Sequence, residues 1–254
     1  MERIHQSRVS VRRIRSILRT FEDLFDDASI ESLVDDLSWY GGVLGELRDL
    51  EVMREHLAEL LESLGDVELR EVLVARVDHA ILESARRRLE SRQTSRFLQL
   101  NTDIMGLEHV VRFSARSFEV APRALKSGLK SAWTAVVDRY EVANDDPTQV
   151  ALHRLRISLK RLQYAGEVAA LIDAGPVRRL ARSAEKFQTK LGGVHDQSFA
   201  KEWIGDIEGV EVLWADALGR ISQMHQVVLE ERLAGWHKDM VKLRRRWREV
   251  KAQR

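Results

Sequence analysis

The sequence predicts an all-α chain built from two copies of one helical unit, on three observations. Helix breakers are scarce, with 3 prolines and 14 glycines in 254 residues, so long helices can run uninterrupted. Charged residues reach 32%, above the roughly one quarter of an average domain. That excess suits amphipathic helices with one apolar face, and no segment sustains the two-residue alternation of a strand. Finally, a pair of motifs occurs twice, in the same order and at nearly the same separation, which is the mark of an internal repeat.

Apolar periodicity places helices near 3–26, 29–63, 67–91 and 94–113, then a break around Phe118 to Pro122. Further helices are expected near 122–143, 147–173, 176–205 and 210–252. Asp145-Asp146-Pro147 reads as a helix start, with an aspartate cap and proline in the first turn. Asp173-Ala174-Gly175-Pro176 reads as a stop followed by a new start.

The first repeated motif is His5-Gln-Ser-Arg8-Val-Ser-Val-Arg12-Arg13-Ile-Arg15, which returns as His153-Arg-Leu-Arg156-Ile-Ser-Leu-Lys160-Arg161-Leu-Gln163. The second follows each copy downstream, as Leu44-Gly45-Glu-Leu-Arg48-Asp49 and as Leu191-Gly192-Gly-Val-His195-Asp196. The chain therefore divides into a first half, 1–121, and a second half, 122–254, that together form one domain. The second half has a leading helix before its His motif, and the first half has no counterpart. Either the start is trimmed or the first bundle is one helix short, and the second case would leave apolar surface open to a partner.

The first helix shows what the motif does. With Ile4 at zero and 100° per residue, Val11, Leu18, Phe25, Ile14 and Phe21 fall between roughly −100° and 0°, a core seam. His5, Arg8, Arg12, Arg15 and Arg19 fall between roughly 20° and 100°, directly beside it. In the second copy Leu152, Leu155, Leu159 and Leu162 make the seam, flanked by His153, Arg156 and Lys160. From Arg3 to Arg19 there are six arginines and no carboxylate, and a run of acids begins only at Glu22. Like charges at i, i+3 and i+4 repel, so a helix shaped only for solubility would interleave glutamates. A bound polyanion removes the repulsion, and guanidinium forks match phosphate oxygens.

Other classes are constrained. The chain has no cysteine, which removes disulfides, thiolate catalysis and Cys-based metal sites. No His/Asp/Glu ligand cluster accompanies the histidines, so no metal and no cofactor is expected. No apolar run approaches a membrane span and no signal-peptide core follows Met1, so cytoplasmic residence is expected. Net charge is only +1, but the basic and acidic runs are segregated, and the closing Lys242-Leu243-Arg244-Arg245-Arg246-Trp247-Arg248 is basic again.

The two His-x-x-Arg copies, with the two Leu-Gly motifs behind them, resemble the CHAD family, the conserved histidine α-helical domain, over essentially the whole chain. The resemblance implies two similar antiparallel helical bundles about a pseudo-twofold axis, with a basic cavity between them. It implies binding of inorganic polyphosphate without enzymatic activity, and association with polyphosphate granules. The site it implies comprises His5, Arg8, Arg12, Arg13, Arg15, Arg19, His153, Arg156, Lys160 and Arg161 of the first motif pair, with Arg48 and His195 of the second. By position, Lys126 and Lys130 on the leading helix, and Lys186 and Lys190 before Leu191-Gly192, join them. Asp49 and Asp196 are expected to orient arginines. Gln163 stands where the first copy has Arg15, which weakens the second stripe. Tryptophans such as Trp39, Trp133, Trp203 and Trp214 read as core or bundle edge.

Three alternatives stay open. A nucleic-acid or other polyanion binder fits the basic helices, although no recognised nucleic-acid motif is present and the pI is near 8.1. A phosphohydrolase needs a metal-binding acidic cluster beside the stripe. A helical scaffold without a small ligand would make the stripe incidental.

Overall fold

The computed structural model describes residues 2–65, 67–118, 121–172, 174–205 and 233–252, with single positions between 219 and 231. The described elements are α1 (Glu2–Thr20), α2 (Asp27–Leu64), α3 (Val67–Ser91), α4 (Ser95–Met105), α5 (Leu107–Val110), α6 (Ala121–Asp145), α7 (Gln149–Ala169), α8 (Gly175–Gly205) and α9 (Trp236–Ala252). The chain is all-α. Among the described residues the extended pairing is one isolated antiparallel bridge, Phe25 to Phe113. No described helix is long and apolar enough to cross a membrane.

Two cores carry the site. In one, α6, α7, α8 and α9 meet around Leu129, Val136, Leu155, Leu159, Phe187 and Met240. In the other, α1, α2 and α4 meet around Val11, Leu18, Leu33, Leu37, Leu44 and Leu100. The α3 helix packs back on α2 and buries Leu69, Leu73 and Val77. The α1 helix belongs to both cores: Val11 and Leu18 face the second, while Ile17, with Phe21 just beyond the helix end, reaches the first. Close packing fixes the helix pairs. A Cβ on Gly166 of α7 would meet the Cβ of Ala181 of α8 at 2.9 Å, and one on Gly128 of α6 would meet the Phe21 ring at 2.5 Å.

Four helix boundaries differ from the sequence reading. The first helix stops at Thr20, not near 26, and a 3-10 turn covers Glu22–Leu24. Carboxylates at 22, 23, 26 and 27 oppose the negative end of α1 and favour the start of α2. The Asp26 amide donates to the Arg112 carbonyl (2.9 Å) and the Ser114 amide to the Leu24 carbonyl (3.0 Å), so Phe25 packs on Phe113 outside the helical seam. The 94–113 helix breaks at Gly106, whose backbone leaves helical geometry (φ −104°, ψ 30°). The start expected at Asp145-Asp146-Pro147 falls later: α6 runs through Asp145, and Thr148 caps α7, its side chain accepting from the Ala151 amide (3.3 Å). Pro147 thus precedes the cap. The helix expected over 210–252 is interrupted at Gly235, whose φ of 76° suits a residue without Cβ; α9 begins at Trp236, and most of the expected stretch before 233 lies outside the described residues.

Candidate functional site

The basic faces of α1 and α7 come together. Arg8, Arg12, Arg15 and Arg19 of α1 and His153, Arg156, Lys160 and Arg161 of α7 line one cavity of about 420 Å³. Its α2 side is Gly42, Gly45, Glu46 and Asp49. A second hollow of about 550 Å³ shares Arg8, Arg12, Asp49, Arg156, Lys160 and Tyr164 with the first, so the two form one continuous channel. His5, Arg13, Arg48 and Gln163 line that second part, with Gln188, Thr189 and Gly192 of α8 opposite.

The charge balance is lopsided. In the first part of the channel seven guanidinium or ammonium groups stand against the carboxylates of Glu46 and Asp49. Both carboxylates are engaged: Asp49 accepts from Arg8 Nη2 at 2.9 Å, and Glu46 pairs with Arg87. Arg12 is a crowded cation of this lining. Burial first, and then the nearby positive charge of Arg8 and Arg156, lower its pKa to about 10, against the partial relief given by Tyr164 and Asp49. Arg8 keeps a buried Nε with no partner. Burial raises the pKa of the Tyr164 phenol, although Arg12 and Arg13 pull it down, so this hydroxyl is a donor at neutral pH. The second part adds Arg13 and Arg48 and the carboxylates of Glu167 and Glu185, so along the whole channel the described lining sets nine guanidinium or ammonium groups and a phenol against four carboxylates, an excess that suits an anionic ligand.

Packing holds the cations in place. Arg15 donates to Ser38 Oγ (3.0 Å). Arg161 donates to Thr20 Oγ1 (3.0 Å) and to the Arg19 carbonyl (3.3 Å), tying α7 to the end of α1. Arg13 pairs with Glu167 and lies 5.5 Å from the Tyr164 ring centre. Gln163 donates to the same Glu167 (3.0 Å), so the position that departs from Arg15 braces an acid that holds Arg13. Arg48 pairs with Glu51 (3.3 Å). The Leu-Gly motif also acquires a reason. A Cβ on Gly192 would meet Arg156 Nη2 at 3.2 Å, so the glycine leaves the guanidinium its place against α8.

Four lysines assigned by position are not in the channel. Lys126 and Lys130 line a separate hollow with Trp133 and Trp247, whose rings stack at 5.1 Å. Their helix turns Leu129 and Ala132 to the core, and that rotation carries the lysines to the α9 side. Lys186 is exposed on α8 and lines neither part of the channel. Lys190 donates to the Ala234 carbonyl (2.9 Å) and pairs with Asp239 (3.1 Å), which fastens α8 to the start of α9. The side chains of His195 and Asp196, together with Trp203 and Trp214, lie outside the described residues. Sequence reasoning missed Tyr164 and Gly42. Tyr164 stands four residues after Lys160 and eight after Arg156, on the same stripe. Gly42 and Gly45 sit one turn apart inside a long helix, where each costs about 1 kcal/mol relative to alanine. A Cβ at either would meet nothing within 4 Å, so they widen the channel wall and relieve no clash.

Residues 1–205 match the model of the CHAD domain. Two uncharacterized proteins of Mycobacterium tuberculosis, from strains CDC 1551 / Oshkosh and ATCC 25618 / H37Rv, are each 28% identical to this chain over 214 residues. The alignment covers 78% of this chain and 39% of each relative, so the chain spans well under half the length of those relatives. Among solved structures, PptA from Streptomyces chartreusis superposes with a TM-score of 0.79 at 20% identity, covering 94% of this chain and 89% of that one. The CHAD domain from the plant Ricinus communis superposes with a TM-score of 0.67 at 22% identity, covering 95% and 81%. At such identity the likeness carries the fold.

Proposed function

The chain belongs to the CHAD domain family, and on that premise we propose that it binds inorganic polyphosphate in the channel between α1 and α7, without chemical turnover. The observation that carries the reading is the convergence of both basic stripes on one hollow, with seven cations against two engaged carboxylates. A linear chain of phosphates supplies one anion per repeat unit, which suits one cation per helical turn. The depressed pKa of Arg12 supports an anionic occupant, because a phosphate beside it restores the favourable environment that burial and two arginines remove.

Binding alone is proposed because Glu46, Asp49 and Glu167, three of the four carboxylates on the channel's described lining, already pair with arginines. Phosphoryl chemistry by bound metal needs acidic groups available to the ion. A nucleic acid would meet the same cations, so the test is competitive. The chain is titrated with long-chain polyphosphate, then challenged with single- or double-stranded DNA of equal phosphate content. Polyphosphate is expected to win by at least about tenfold, as expected for a channel shaped for a bare phosphate chain. Equal competition would reduce the site to general polyanion binding. Phosphate release with added magnesium or manganese would overturn the reading of binding alone. In cells, residence in the cytoplasm with association to polyphosphate granules is the corresponding proposal, checked by co-localisation of a fluorescent fusion with stained granules.

A further inference from the structure

The α6 helix carries cations that the channel does not use. From Ala121 to Val137 it holds Arg123, Lys126 and Lys130 and no carboxylate, in a chain with 41 basic against 40 acidic residues. Lys126 and Lys130 stand one turn apart, where like charges repel. With Lys251 of α9 they line a hollow of about 510 Å³ between α6 and α9, and no carboxylate is part of its described lining. Among the described residues none of these three lysines has a hydrogen bond or an ion pair. Glu249, which lies between Trp247 and Lys251 in sequence, is held by Arg179 and Arg246 instead. Trp133 and Trp247 form the flat wall of the hollow. Their rings stack with centroids 5.1 Å apart and planes 12° from parallel, the offset arrangement that ring quadrupoles favour. An offset stack leaves part of each ring face uncovered, and both indoles are only partly buried against the core.

We propose that this hollow is a second ligand site, which takes a nucleoside phosphate: the base adds to the indole stack and the phosphates lie against Lys126 and Lys130. Two features of the lining have to be met together. A bare phosphate chain would satisfy the ammonium groups and leave both indoles, Leu129 and Val250 without a partner. An uncharged ring would satisfy the indoles and leave three positive charges unbalanced. A base carrying phosphates meets both, because every base has a flat face for an aromatic side chain and each ammonium is a compact charge with three donors for phosphate oxygens. The hollow is of the size of small-molecule sites, with room for a single nucleotide. It differs in kind from the channel, whose cations are mostly guanidinium forks. It also shares no lining residue with either part of the channel, so the two sites are separable by mutation and this inference stands apart from what the channel binds.

The test titrates the full chain with ADP, inorganic diphosphate and adenosine by calorimetry. ADP is expected to bind about tenfold tighter than diphosphate, the scale of stacking one base on an aromatic side chain. Adenosine should bind more weakly than ADP, since it leaves the lysines unpaired. Lys126 and Lys130 are exposed, and glutamine keeps helix propensity close to that of lysine. Lys126→Gln with Lys130→Gln should therefore leave the fold intact and weaken ADP about tenfold, as the loss of charge-assisted contacts requires. Replacing Arg8, Arg12 and Arg15 by glutamine, which empties the channel of three cations, should leave the ADP affinity unchanged. Trp247→Leu should bring ADP down to the level of diphosphate, and the lysine pair decides the matter should that variant fail to fold. Diphosphate binding as tightly as ADP would overturn the proposal, as would the lack of saturable binding at millimolar ADP. Loss of ADP binding in the arginine triple but not in the lysine pair would move the nucleotide to the channel. A 5′-phosphorylated single strand that displaces ADP at equal nucleotide concentration would make nucleic acid the ligand and sink the reading as well.

Discussion

Arg12 sits where burial and two neighbouring arginines work against its charge, with its pKa lowered to about 10. The sign follows from linkage. A base whose folded-state pKa is depressed destabilises the folded chain wherever it is protonated. That penalty is complete below about pH 10 and fades only as pH rises from there toward the ordinary value of a guanidinium. At neutral pH the whole of it is present. Arg12→Gln is therefore expected to raise the melting temperature of the ligand-free protein by a few degrees, for relief on the order of 1 kcal/mol. The same change should weaken polyphosphate binding about tenfold, the scale of one charge-assisted hydrogen bond. Thermal shift with and without polyphosphate reads both, and a variant less stable without ligand would mean that Arg12 serves the fold first. At this scale the sequence was legible where charge and register coincide. Arg8, Arg12, Arg15, Arg19, Arg156 and Lys160 were placed by angle alone. The roles of Arg161, as a pin between α7 and α1, and of Lys190, as a fastener of α8 to α9, were not legible, because their partners, Thr20 and Asp239, are set by tertiary packing.

Among the elements, α1 and α7 present matching stripes with unequal structural duties, and this shapes the mutants. Replacing Arg8, Arg12 and Arg15 on α1 together by glutamine keeps helix propensity close to that of arginine, at the cost of the Arg8–Asp49 and Arg15–Ser38 contacts. On α7 the fair comparison is Arg156 and Lys160, because removing Arg161 would also release Thr20 and the Arg19 carbonyl. The control removes equal charge from the exposed side of α9, at Lys242, Arg245 and Arg248. Arg244 and Arg246 are unsuitable, since they pair with Glu141 and Glu249. The α1 triple should lower affinity by about tenfold to hundredfold and the control several-fold at most. An equal loss in the control would make the binding diffuse. Gly192→Ala gives a finer test. In a helix interior alanine gains about 1 kcal/mol over glycine, while its methyl group crowds Arg156, a flexible side chain that can swing aside. Stability should hold or rise as affinity falls, and a variant that binds normally would remove Arg156 from the contact set. The helices themselves were legible from periodicity. Their ends were less so, because the Phe25–Phe113 contact and the Thr148 cap decide between neighbouring residues that all look permissible in sequence.

At the scale of the whole molecule, the channel is walled by helices from both cores, with α1 and α2 on one side and α7 and α8 on the other. A ligand in it touches both, so its binding free energy must appear as resistance to separating them. With polyphosphate at one hundred times its dissociation constant, mass action stabilises the folded chain by about 2.7 kcal/mol. For a chain of this length that corresponds to a rise of about 5–10 °C in melting temperature. The gain should shrink steeply with added salt, because each cation that neutralises a phosphate releases a counterion, and the slope of log affinity against log salt counts such contacts. In the α1 triple variant both the thermal gain and the salt slope should fall together, since the same three charges supply both. The opposing possibility is sharp. Unfolded chain carries the same 41 Lys and Arg residues, and a polyanion that merely collects positive charge would bind it as well as the native state. Polyphosphate would then leave the melting temperature unchanged or lower it. A rise that vanishes in the α1 triple and survives in the α9 control can come only from cations whose spacing the fold itself sets.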